Sequence, residues 1–214
     1  ICGRRLEKLR AAKKKFPALH IRVCDVSKAA SRVSLARWLR SRFPSLNLLV
    51  NNAGVQRVVD FRKGKRDLEK AHEELATNLA APIHLTVLLI PQLRNKRQSA
   101  IVNVSSGLAF TPLAAVPVYC ATEAALHSFS LSLRHQLRNT SVRVFEIAPP
   151  IVSTELAGRR QRPDDVAFTT SPQQVAAGIL EALKNETYLG AAARLREERE
   201  AMFEAIKDTA RRRD

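Results

Sequence analysis

Tyr119 and Ser106 are the side chains whose types and setting suit proton chemistry on an oxygen atom. Tyr119 opens the stretch Tyr119-Cys120-Ala121-Thr122-Glu123, and Ser106 lies upstream in Asn103-Val104-Ser105-Ser106-Gly107. A phenol can give or take a proton, but its ordinary pKa is about 10, so work near neutral pH needs a cation beside it. The sequence offers the opposite: Glu123 stands one helical turn further on. A carboxylate about 5 Å from the phenol oxygen interacts with it by roughly 3 kcal/mol at an effective dielectric near 20, in the sense that disfavours tyrosinate. A lone Tyr or Ser near a helix start usually packs or caps. Here the two occur together, behind a strand and ahead of a helix, and that setting points to a site.

The elements that must position them alternate between strand and helix, which predicts a mostly parallel sheet with helices on both faces. Ile1-Cys2 reads as the end of a strand, and residues 4–15 as a basic helix stopped by Phe16-Pro17. Residues 19–24 follow as a strand, then 28–43 as an amphipathic helix with apolar Val33, Leu35, Ala36 and Leu39. Residues 46–50 form a short continuous apolar run, as expected of a strand buried on both faces. A long helix is predicted over 67–89, ending before Pro91, with a buried strand at 100–104 and a small-residue-rich helix over 118–137. A strand at 142–147 precedes a helix that Ser171-Pro172 caps and that runs to Lys184. Residues 187–189 read as a last strand, and 191–212 as a charged terminal helix with apolar Leu195, Met202, Phe203 and Ile206. No repeat or low-complexity linker divides the chain, so one domain over 1–214 is expected, with about 191–214 as its terminal helix.

Taken with Asn51-Asn52-Ala53-Gly54, these segments resemble the short-chain dehydrogenase/reductase (SDR) family, from Ile1 to roughly Leu195. The family signature over 119–123 is Tyr-x-x-x-Lys, and Glu123 occupies its fifth position. The resemblance implies an α/β fold of Rossmann type, a doubly wound parallel sheet in three layers. It also implies an NAD(P)-dependent oxidoreductase that interconverts carbonyls and secondary alcohols. Tyr119 matches the family's proton donor, and Ser106 the hydroxyl that binds the substrate oxygen. Asn78, in Thr77-Asn78-Leu79, matches the asparagine that holds a helix kink and a proton-relay water.

Cofactor contacts carry over in the same way. Arg4, in Gly3-Arg4-Arg5, follows the second strand of the family, where NAD-preferring relatives place an acid. A cation there suits the 2′-phosphate of NADP, so NADP is expected over NAD; the plainer reading is a basic helix start. Asp25-Val26 resembles the pair that holds adenine. Asn52-Ala53-Gly54 resembles the segment lining the adenine ribose, with Gly54 allowing close backbone approach. In Pro149-Pro150-Ile151-Val152-Ser153-Thr154, Ile151 would meet the carboxamide and Thr154 the pyrophosphate. Pro150 replaces the usual glycine there and stiffens the backbone.

Two departures shape the remaining expectations. The family's pyrophosphate rests on a glycine-rich turn after the first strand, and none of Gly3, Gly54, Gly64, Gly107, Gly158, Gly178 and Gly190 are close enough to form one. An amino-terminally shortened chain is therefore expected, lacking about the first thirty to forty residues of a longer parent. Its cofactor binding would be weakened, and the neighbours of its first strand would be left with unpaired edges. At position 123, exchanging a cation for an anion disfavours tyrosinate by about 6 kcal/mol, and a protonated Glu123 would soften that penalty without restoring the positive charge, so impaired turnover is expected. A non-catalytic scaffold or cofactor-sensing protein of the same fold is the rival reading. Residues 155–170 would form the family's lid; their polar, basic character fits a polar or anionic substrate, and equally a solvated loop. Helices starting near Asp67 and Val118 would pair two or four copies.

Composition excludes several other classes. The chain has 214 residues, 45% hydrophobic and 26% charged, with a formal net charge of +16. The basic residues come in clumps without interleaved aromatic residues, which reads as solvated faces with non-specific polyanion affinity and no specific nucleic-acid site. No apolar run reaches a membrane span, residues 85–91 being the densest, and the basic first fifteen residues do not form a signal peptide. Cys2, Cys24 and Cys120 are scattered and lack metal-ligand spacing, which reads as reduced thiols in a cytoplasmic protein without a metal.

Overall fold

Parallel strands and α-helices alternate through residues 1–154, 156, 170–185 and 189–190, the part that the computed structural model describes. In chain order they are β1 (Cys2–Gly3), α1 (Leu6–Lys15), β2 (Arg22–Val23), α2 (Ala29–Arg42), β3 (Leu48–Asn51), α3 (Leu68–Glu74), α4 (Ala81–Arg94), β4 (Ser99–Val104), α5 (Pro117–Leu137), β5 (Val142–Ile147), α6 (Pro172–Asn185) and β6 (Leu189–Gly190). The architecture is Rossmann-like, as the alternation predicts. The lid expected over 155–170 lies outside the described residues except for Leu156 and Thr170, and so does the terminal helix expected over 191–212.

The strands form two sheets. β1 pairs with β2, and a second sheet runs β3-β4-β5-β6; no ladder joins β1 to β3 among the described residues. Helices hold the two together on one face. Leu35 of α2 packs with Ala81 and Leu85 of α4 over Cys24 and Val26, which follow β2. Further along, Ala36 joins Leu89 and Leu93 against Ile101 of β4 and Val142 and Val144 of β5. Polar staples reinforce the seam: Arg32 donates to the Val26 carbonyl at 2.6 Å and to His84 Nδ1 at 2.9 Å, and Gln92 donates to the Phe43 carbonyl at 2.7 Å. On the other face α6 covers β4 and β5 through Val102, Phe145, Ile147 and Ala182.

Residues 46–50 are not buried on both faces. Leu48 and Val50 are 39% and 42% exposed, because β3 ends its sheet and nothing described covers the face they occupy. Leu49, on the opposite face, packs into the main core.

The helix expected over 67–89 is more elaborate. α3 passes through a π-helical turn (Leu75–Ala80) into α4, which runs on through Pro91 to Arg94. Proline removes one hydrogen bond to the carbonyl four residues back. That residue is Val87, 60% exposed, so water can take over the carbonyl and the helix survives. The stretch Glu69–Arg94 is long and apolar enough to cross a membrane, which the sequence reading did not anticipate. Its Leu85, Leu89 and Leu93 are buried in the helix–sheet core.

Candidate active site

All but two of the residues singled out from the sequence stand after the carboxyl ends of strands, where open α/β sheets bind ligands. Arg4 follows β1, Asp25 and Val26 follow β2, and Asn52, Ala53 and Gly54 follow β3. Ser106 follows β4, and Ile151 and Thr154 lie beyond β5. Asn78 comes to them from the π-helical turn, and Tyr119 from the first turn of α5.

Ser106 and Tyr119 are brought together. Tyr119 packs among Val116, Cys120 and Leu108 and is 6% exposed. The Ser106 hydroxyl accepts from the Leu108 amide at 3.2 Å, which fixes it as the cap of a 3₁₀ turn over Gly107–Ala109. From there it lies close enough to Tyr119 to act on its phenol. Burial still drives the Tyr119 pKa well above the ordinary phenol value, and Glu123 adds to the rise, while Ser106 works against both.

Asn78 is a structural hub. Its Oδ1 accepts from the Val55 amide at 2.9 Å, and its Nδ2 donates to the Val55 carbonyl at 2.8 Å and to Thr122 Oγ1 at 3.2 Å. Thr122 in turn donates to the Tyr119 carbonyl at 2.8 Å. One amide thus ties the loop after β3 to the first turns of α5. Asn78→Ala leaves the buried Val55 groups unpaired, with an expected cost of about 2–4 kcal/mol in urea unfolding.

The adenosine-side residues are more open. Asn52, Ala53 and Gly54 are exposed. A Cβ on Gly54 would lie 3.8 Å from Asn78 Oδ1, an ordinary contact, so protein packing does not demand glycine there. Asp25 Oδ1 accepts from the Ser27 amide and hydroxyl at 3.0 and 2.7 Å, and the hydroxyl bond leads in holding its pKa down. Val26 is buried in the α2–α4 seam. Arg4 is paired with Glu73 at 3.1 Å, and Glu73 also pairs with Arg57 at 2.9 Å. Ile151 is exposed, and Thr154 Oγ1 accepts from the Leu156 amide at 3.3 Å.

Three carboxyl groups beneath the site escaped the sequence reading as a group: Glu74, Glu123 and Glu146, all buried. Glu146 is held by the Ser105 hydroxyl at 2.6 Å and by His127 Nδ1 at 2.7 Å. Glu74 Oε1 accepts from the Arg57 amide at 2.7 Å, while its Oε2 is buried with no partner. Glu123 is 4% exposed. Burial, then Glu146 and Glu74, push its pKa up to about 8. At neutral pH Glu123 is therefore a neutral acid and not the anion assumed from the sequence. The 6 kcal/mol charge reversal becomes the loss of one cation, roughly 3 kcal/mol. Helical spacing was the available clue: Glu74 lies one turn before Asn78, and His127 one turn after Glu123.

Residues 1–165 match the short chain dehydrogenase family model. The chain is 53% identical over 156 residues to an uncharacterized oxidoreductase, DltE, of Bacillus subtilis, covering 73% of this chain and 62% of that protein. It is 32% identical over 165 residues to the NADP-dependent 3-hydroxy acid dehydrogenase YdfG of Escherichia coli, covering 76% and 66%. Among solved structures, a serine dehydrogenase from Escherichia coli superposes with a TM-score of 0.71 at 29% identity, over 85% of this chain and 77% of that one. The chain belongs to the short-chain dehydrogenase family, and it spans about two thirds of the length of the curated relatives it matches.

Proposed function

We propose that residues 1–214 are a single NADP-preferring oxidoreductase domain that interconverts a carbonyl and a secondary alcohol. Ser106 fixes the substrate oxygen, Tyr119 passes it a proton, and Asn78 holds both helices in place. The observation that carries this reading is the closeness of Ser106 and Tyr119 at the carboxyl ends of the strands, beside the exposed segment Asn52–Gly54. The names of two relatives make a 3-hydroxy acid the first substrate to try. Exposed Val87 and Leu131, on α4 and α5, supply apolar positions for pairing two copies.

The residues present fit the two ends of NADP. The Arg4 guanidinium at the end of β1 suits a 2′-phosphate, with Glu73 as the partner it would share. Open backbone at Asn52–Gly54 suits the ribose, and exposed Ile151 the carboxamide. The described residues contain no glycine-rich turn for the pyrophosphate, so weaker binding than in the relatives belongs to the proposal. Bound NADPH would supply the hydride.

Titration of the chain with NADPH and NADH, followed by nucleotide fluorescence, tests the cofactor half. Arg4→Ala is expected to lower NADPH affinity about tenfold, as loss of one charged phosphate contact does, and to leave NADH affinity unchanged. Tyr119→Phe is expected to remove oxidation of NADPH by a keto acid. Glu123 favours one second reading, a cofactor-sensing protein without turnover. Tight NADPH binding with equal, negligible rates for the chain and Tyr119→Phe would establish it.

A further inference from the structure

We infer that Glu123 refills Tyr119 with a proton during carbonyl reduction, so that the two side chains form an acid relay in place of the family's tyrosine–lysine pair. The inference rests on the proposed function and goes beyond it by giving the substituted residue a positive role.

The geometry comes first. Tyr119 and Glu123 lie one turn apart on the same face of α5, a spacing that puts their Cβ atoms about 5–6 Å apart. Both are buried. Of the three acids beneath the site, Glu146 is held by Ser105 and His127, and Glu74 has one oxygen on the Arg57 amide. Among the described residues no hydrogen bond occupies the Glu123 carboxyl, which leaves it free to turn toward the phenol. The groups around it favour its protonated form. Glu74 faces it from the end of α3 and Glu146 from β5, while Tyr119, Cys120 and His127 share its helix. Glu123 accordingly keeps its proton to about pH 8.

The proton balance closes. Bound NADPH would supply a hydride to the carbonyl carbon, and the π electron pair would move to oxygen. That oxygen takes the Tyr119 proton and becomes the alcohol. The tyrosinate left behind takes the Glu123 proton, which runs downhill, since a phenol ordinarily holds its proton to about pH 10. The Glu123 carboxylate then regains a proton from solvent, which closes the cycle. A lysine stabilises tyrosinate, whereas a neutral acid discharges it.

The test is a pH–rate profile of carbonyl reduction at saturating NADPH for the chain, Glu123→Gln, Glu123→Asp and Glu123→Lys, with NADPH binding measured in parallel. The relay predicts a rate that falls as pH rises through about 8. Glu123→Gln, neutral but without a proton to give, should be slower on the order of 10–100-fold near pH 7 and lack that fall. Glu123→Asp should recover part of the rate together with the fall. Infrared spectra give a readout independent of turnover: a protonated-carboxyl band absent from Glu123→Gln should fade over the same pH range. Equal profiles for the chain and Glu123→Gln overturn the relay, as does absence of that band at pH 7. A chain that is inactive while Glu123→Lys turns over also overturns it and leaves the proposed function standing. Failure of every variant to bind NADPH overturns the proposed function itself.

Discussion

Glu123→Lys is expected to raise the rate of NADPH-dependent carbonyl reduction about 100-fold at pH 7. A cation about 5 Å from the Tyr119 oxygen stabilises the developing tyrosinate by roughly 3 kcal/mol at an effective dielectric near 20, and that energy corresponds to about two orders of magnitude in rate. The environment is ready for the exchange. Glu74 Oε2 is buried without a partner, and Glu146 also acts on position 123. A lysine there would meet two carboxyl groups, so its charge would be neutralised locally and the substitution should not cost stability. The advantage should widen with pH. Above about 8 the wild-type side chain becomes an anion, and the comparison turns into the full charge reversal of about 6 kcal/mol, on the order of 10⁴-fold. Following NADPH absorbance for both proteins at pH 6.5 and 9 measures both values. A constant ratio across that range would show that Glu123 does not titrate beside Tyr119. The Tyr119→Phe, Glu123→Lys double variant should be inactive, because the lysine acts through the phenol.

Much of the scaffold behind this expectation is legible in the residues. The apolar runs at 100–104 and 142–147 and the helical pattern at 118–137 locate β4, β5 and α5 to within a residue or two. The two strands are covered on both faces and α5 is long and strongly patterned, so local sequence and tertiary context agree. The meeting of Ser106 with Tyr119 and the placing of Asn78 follow from family spacing. Three features were not legible, each because a distant partner decides it. The exposure of Leu48 and Val50 depends on what lies over β3, which the run at 46–50 does not encode. The passage of α4 through Pro91 depends on Val87 facing solvent. The charge state of Glu123 depends on its burial beside Glu74 and Glu146, from two other elements. From sequence alone a glutamate is an anion, and only packing makes it an acid.

The same proton sets the pH dependence of folding. Glu123 releases its proton near 4.5 in an ordinary setting and near 8 in the native chain. Between those values the native state holds a proton that the unfolded chain has released. Stability then falls as pH rises across that window, and it has no further slope from this group once both states are ionised. Glu74, raised chiefly by burial, contributes in the same sense. Asp25 and Glu73 run the opposite way: hydrogen bonds and cations hold their pKa values down, so the stability they supply is lost only in acid, below the Glu123 window. The expected profile therefore declines from about pH 5 to pH 8. Glu123→Gln keeps the shape of the protonated side chain and removes its titration. It should match the wild type near pH 5, exceed it by a few kcal/mol at pH 8.5, and show a shallower decline that reflects Glu74 alone. Urea unfolding of the two proteins at pH 5, 7 and 8.5 reads the difference directly. Parallel curves would mean that Glu123 is ionised throughout, and the charge argument for Tyr119 would return to full reversal at every pH.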